Sequence, residues 1–156
     1  MARGLIACYS RSGYTATLAQ EMASLTGWDL ETISDVQPRL GSWGFLRCIL
    51  DVLFGRRPGI RTTGKDPGAY DLVVLMAPVW ARRLSAPMCS YIARHRTEFK
   101  ALAFACTYGG RGAENAAREA AAIAGKPLRA ALGVTAQEID QMNFRAKLDA
   151  FLSKLK

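Results

Sequence analysis

From end to end the sequence alternates short apolar runs of strand character with longer stretches whose apolar residues recur at helical spacing. That alternation is the mark of a parallel sheet with helices on both faces. Five runs read as strands: Leu5 to Tyr9, Leu30 to Ile33, Leu72 to Ala77, Ala101 to Cys106 and Leu128 to Leu132. The first and third are nearly continuous apolar runs, as expected of central strands buried on both faces. A first helix is predicted over Thr15 to Thr26, with Leu18, Met22 and Leu25 on one face and Gly27 free to take the left-handed position beyond its end. A second, Ser42 to Phe54, stops at Gly55-Arg56-Arg57-Pro58-Gly59. It is apolar over most of its surface, so it is expected to lie against the sheet, and with Arg56 and Arg57 it could also form a homodimer face. The third helix begins near Ser85 with Pro87 in its first turn, and the fourth is the alanine-rich segment Ala113 to Ala124, ended by Gly125 and Pro127. A last helix carries Leu148, Phe151, Leu152 and Leu155 on one face and starts somewhere between Thr135 and Asn143.

With 156 residues, half of them apolar, the chain suits a single domain, 1–156, with one core. The longest apolar stretches fall well short of the roughly 20 residues needed to cross a bilayer, so no membrane partner is expected. The N-terminus opens directly on a strand-like run without the sections of a signal peptide, and a cytoplasmic location is expected. Cys8, Cys48, Cys89 and Cys106 are far apart with no CxxC pair, which points to buried reduced thiols rather than a metal site. The net charge of +8 is spread as single arginines and lysines without a long basic block, which argues against a nucleic-acid partner. His95, between Arg94 and Arg96 at a helix end, reads as a solvated residue favoured by the helix dipole rather than as a catalytic base.

In open α/β sheets ligands bind beyond the carboxyl ends of the strands, where the strand order switches. The loops after the first, third and fourth strands are also the unusual ones. Ser10-Arg11-Ser12-Gly13-Tyr14-Thr15 places three hydroxyl side chains and a glycine between a strand and the first turn of a helix. Unpaired amides and the helix dipole make such a loop a phosphate site, although Ser12 or Thr15 acting as a plain helix cap explains the same residues. No Gly-Lys-Ser/Thr follows and no GxGxxG is present, so neither a triphosphate nor a dinucleotide is indicated. After the third strand come Pro78-Val79-Trp80-Ala81-Arg82-Arg83, where Trp80 is either a flat surface for an aromatic ligand or a core residue. After the fourth come Thr107-Tyr108-Gly109-Gly110-Arg111-Gly112, whose glycines allow close approach of backbone to a flat ligand or simply make a turn.

Taken together, the three loops resemble those of the flavodoxin-like proteins over essentially the whole chain. Ser10 to Thr15 is similar to the flavodoxin phosphate loop, with Ser12 in place of the usual threonine and Arg11 as an added cation; Trp80 and the Tyr108 segment match the loops that run along the flavin ring. The resemblance implies a flavodoxin-like three-layer α/β/α sandwich with a five-stranded parallel sheet of order 2-1-3-4-5, in the short form without a long insertion in the last strand. It implies FMN as cofactor, held by Ser10, Arg11, Ser12, Gly13, Tyr14, Thr15, Pro78, Val79, Trp80, Ala81, Arg82, Thr107, Tyr108, Gly109, Gly110 and Gly112, with no metal and no assigned catalytic residue. Electron transfer with a redox partner protein is the implied function. The alternatives are an NAD(P)H-dependent FMN reductase of quinones or other small acceptors, and an FMN-binding module without turnover. Electron-carrier flavodoxins surround the flavin with acidic surface, whereas Arg82, Arg83 and Arg111 here would favour reduced, anionic flavin.

Overall fold

The computed structural model describes residues 2–156. Five strands run parallel to their neighbours: β1 (Gly4–Tyr9), β2 (Asp29–Asp35), β4 (Leu72–Trp80), β6 (Leu102–Tyr108) and β7 (Leu128–Thr135). The sheet nevertheless has seven strands, not the expected five, and its order is β3-β2-β1-β4-β6-β7 with β5 paired to β4, not 2-1-3-4-5. The two additional strands are antiparallel and short, β3 (Ile60–Thr62) beside β2 and β5 (Arg83–Leu84) folding back on β4. At three and two residues they carry no readable periodicity, and β3 follows directly on a stretch that reads as a stop signal.

Alternation along the strands divides the core in two. Leu5, Ala7 and Tyr9 of β1 face a cluster completed by α2 (Gly41–Leu53), α3 (Ala86–His95) and α4 (Ala113–Ala124). Ile6 and Cys8 face the other side, where Leu18 and Met22 of α1 (Tyr14–Thr26) pack with Leu148 and Phe151 of the C-terminal region. The result is a sheet between two helical layers. Gly27 and Gly125 take left-handed positions after α1 and α4, as their helix-ending role requires. The expected single last helix is two, α5 (Ala136–Asp140) and α6 (Arg145–Ser153). A capping box sets the start of α5, with the Glu138 amide donating to Thr135 Oγ1 and the Thr135 amide donating to Glu138 Oε2. All four cysteines are buried and unpaired, and burial pushes the Cys8 and Cys106 thiols up to about 12 and Cys89 to about 11.

Helix α2 departs from expectation most. Only Gly44, Cys48, Asp51 and Val52 are buried, while Trp43, Phe45, Leu46 and Leu53 are exposed on the same helix. Its inward side puts only Cys48 and Val52 in the core and otherwise meets charge and backbone. Arg39, itself buried, pairs through Nε with Asp35 Oδ1 at 2.8 Å and through Nη2 with Asp51 Oδ2 at 2.5 Å. The second contact is off line for a hydrogen bond, and Nη1 has no partner. Burial opposes the Arg39 charge, but the two carboxylates outweigh it and hold its pKa above the ordinary range. Asp35 also accepts from the Tyr9 hydroxyl at 2.5 Å, the Arg39 guanidinium lies 5.2 Å from the Trp80 ring centre, and a Cβ on Gly44 would stand 2.2 Å from the Arg39 carbonyl carbon.

Two local features carry direct consequences. Glu31 on β2 is fully buried and accepts from Thr63 Oγ1, the Gly64 amide and the Lys65 amide at 2.8, 3.1 and 2.6 Å, tying the chain after β3 to the sheet. The β4–β5 hairpin turns on Ala81 and Arg82, with φ of 48° and 64°, the type I′ geometry that Asn-Gly serves without strain. It is held by Asn115 Nδ2 donating to the Arg82 carbonyl at 2.9 Å and by Gly112, where a Cβ would lie 2.5 Å from Arg82 Cα. Glu31→Ala removes three hydrogen bonds to a carboxylate and should lower unfolding free energy by about 3 kcal/mol in urea titration. Replacing Ala81-Arg82 by Asn-Gly should raise it by about 1 kcal/mol, because each L side chain in the left-handed region costs about that much.

Candidate functional site

The chain after β1 turns at Gly13, whose φ of 96° starts α1. Its amide donates to Ser10 Oγ at 3.1 Å, but no side chain caps the helix. The amides of Tyr14, Thr15 and Ala16, orphaned by helix geometry, have no acceptor among the described residues. The plain capping explanation of this loop therefore fails. Ser12 is exposed rather than bonded to the helix, and Thr15 is buried with its hydroxyl 2.7 Å from that of Thr107. A set of free amides at the positive end of a thirteen-residue helix, beside an exposed serine, is a receptor for an anion.

Next to this helix start lies a cleft of about 400 Å³, within the size of small-molecule sites. It joins the three loops singled out in the sequence. Arg11, Ser12 and Tyr14 contribute from the first, Pro78, Val79, Trp80 and Ala81 from the second, and Thr107, Tyr108 and Gly109 from the third. Of the other expected binding residues, Ser10 and Gly13 shape the first loop, and the Thr15 hydroxyl lies beneath it, because the first turn of α1 directs that side chain at β6. Arg82, Gly110 and Gly112 fall outside the lining. Gly112 instead starts α4 and packs on the Arg82 backbone.

The expected ring of arginines is not assembled. Arg83 pairs with Glu119 at 3.0 Å and donates to the Val52 carbonyl, while Arg82 and Arg111 are exposed and off the lining. Arg11 is the charged residue of the cleft, and its Nε donates to the Arg39 carbonyl at 3.2 Å with its guanidinium 5.9 Å from the Phe45 ring centre. Trp80 does not offer an open face: it is 9% exposed, meets Tyr9 edge to face, and carries Arg39 on its ring. Tyr14 and Tyr108 are the half-exposed aromatics, Tyr14 being held by a hydrogen bond to Asp140 at 3.1 Å that raises its pKa.

Four lining residues were not anticipated: Phe45, Cys48 and Ile49 on α2, and Ala136 at the start of α5. An apolar helix with no single polar face is a signal that it touches more than the sheet. His95 is half-buried rather than solvated, with its ring 4.6 Å from Tyr91 and Nδ1 2.8 Å from Glu98, remote from the cleft lining.

No protein-family model matches the sequence, and no curated protein matches it. Solved structures do. A flavoprotein from Lactobacillus acidophilus NCFM, crystallised in complex with FMN, superposes with a TM-score of 0.76 at 20% identity over 90% of this chain and 98% of that one. A candidate flavoprotein from Bacteroides eggerthii DSM 20697 gives 0.77 at 25% identity over 97% and 99%. A flavodoxin from the Archaea gives 0.52 at 15% identity over 98% and 99%. The chain has a flavodoxin-like fold.

Proposed function

We propose that the chain binds FMN in the cleft between the β1, β4 and β6 loops and acts in electron transfer. The observation that carries this reading is the uncapped start of α1, with its free amides of Tyr14, Thr15 and Ala16 at the end of a largely apolar cleft. A phosphate needs the first feature and a flat aromatic ring the second. The fit extends to size and polarity, and the FMN complex of the Lactobacillus acidophilus flavoprotein supports the choice of ligand.

In this reading Ser12 and the α1 amides hold the phosphate, with Gly13 giving the turn that aims those amides outward. Tyr108 and Tyr14 flank the ring, and Phe45 and Ile49 exclude water from its α2 side. When bound, the flavin supplies the redox chemistry. The chain's part is to hold the ring and set its surroundings, and without the arginine ring its charged contribution is Arg11 alone.

The visible absorption spectrum of the purified protein, with the released cofactor identified by mass, tests the reading directly; absence of flavin together with no FMN uptake on reconstitution would sink it. Ser12→Asp places a carboxylate at the helix start and should weaken FMN binding about tenfold by calorimetry, through repulsion and competition for the same amides. Riboflavin, which lacks the phosphate, should be unaffected. Reduction of the holoprotein only through a separate reductase selects the carrier, whereas steady oxidation of NAD(P)H selects the enzyme.

A further inference from the structure

The outward side of α2 is as apolar as an inward side normally is. Leu40, Trp43, Leu46, Leu53 and Phe54 are exposed by 78, 70, 41, 60 and 68% on this helix and its flanks. At 3.6 residues per turn, Trp43, Leu46, Leu50 and Leu53 share the side opposite buried Gly44, Cys48 and Asp51. Such a patch on a protein surface marks a binding face.

Its charge identifies the occupant. Between residues 40 and 59 the sequence holds one acidic residue, Asp51, which is buried against Arg39 and also lies 3.6 Å from Arg56, while Arg56 and Arg57 are exposed just beyond the helix and nearby Glu119 is paired with Arg83. The face is therefore apolar with a net cationic border, because Asp51 is buried and Glu119 is neutralised by Arg83. A second copy of this chain would set arginine against arginine in a two-fold contact and add +8 to +8, so self-association through this face is opposed electrostatically. An anionic surface is complementary. The patch is also a ridge of Trp, Leu and Phe along the length of one helix, the form that enters the boundary between headgroups and acyl chains.

We propose that α2 is an interfacial helix that docks this protein on an anionic lipid surface, with Trp43, Leu46, Leu53 and Phe54 entering the headgroup boundary and Arg56 and Arg57 meeting lipid charge. This is lying on a membrane, not crossing one: no helix among the described residues is long and apolar enough to span it. The expectation of no membrane partner rested on spanning length alone. Because Phe45 and Ile49 on the flank of the same helix line the cleft, docking sets the lipid surface against the helix that walls the cleft.

Sedimentation of the full-length protein with vesicles of phosphatidylcholine, with or without phosphatidylglycerol, tests this. The protein should sediment with the anionic vesicles and not with the zwitterionic ones, with a blue shift of tryptophan emission that Trp43→Phe removes. Leu46→Ser with Phe54→Ser should weaken the partition at least about tenfold by loss of inserted area. Arg56→Gln with Arg57→Gln should weaken it about tenfold, as should raised salt. These residues are exposed, and far-UV dichroism with the thermal midpoint verifies that the variants fold. No sedimentation with anionic vesicles, equal binding to both kinds, or binding undiminished in the Leu46/Phe54 variant would overturn the proposal. So would a stable dimer in solution that the Leu46/Phe54 variant converts to monomer. None of these measurements depends on whether FMN is bound.

Discussion

The buried charge of Arg39 organises the half of the molecule that faces the cleft. It joins the end of β2 through Asp35, the last turn of α2 through Asp51 and the end of β4 through Trp80, while its carbonyl receives Arg11 from the β1–α1 loop. A guanidinium removed from water is costly unless carboxylates surround it, so the three elements are held in one arrangement or the pairing is lost. Tyr9 completes the set from β1 by donating to Asp35, and burial together with that hydrogen bond raises its pKa.

This interaction also explains why α2 is inside out. A helix that must bring Asp51 to Arg39 and lay Gly44 on the Arg39 backbone has given half its inward face to a carboxylate and a glycine, with only Cys48 and Val52 reaching the core. The large apolar residues are then left on the flank, where Phe45 and Ile49 wall the cleft, or on the outside, where Trp43 and Leu53 meet solvent. Anchoring by an ion pair and two small apolar side chains therefore leaves free the large apolar residues that a wholly hydrophobic anchor would have consumed.

Strand and helix positions were legible because they rest on local period: β4 and α4 stand close to where their apolar runs and flanking glycines put them. Trp80 reads in sequence as ring platform or core residue with the core slightly favoured, and its neighbours Tyr9 and Arg39, distant in sequence, decide for the core. The same holds for Thr15, whose hydroxyl is drawn inward by Thr107, 92 residues away, and for Arg83, drawn to Glu119. The spacing of Asp35 and Arg39 is that of a helical ion pair but lies outside any helix, so no period could mark it. Side-chain destinations set by long-range partners are invisible to periodicity.

The place of the cleft and its character have separate causes. After β1 the chain leaves to α1 on one face of the sheet, and after the neighbouring β4 it leaves through β5 to α3 on the other. Connections that diverge from adjacent parallel strands must open a crevice at their carboxyl ends, and the α1 amides point into it whatever the side chains are. That much is topology, shared by many sequences. What lines the crevice is particular to this one: with Arg82, Arg83 and Arg111 drawn off, its apolar wall comes from α2, the helix that Arg39 holds in place. A change at Arg39 therefore reaches the cleft and the outer face of α2 together, though Arg39 is buried and lines neither.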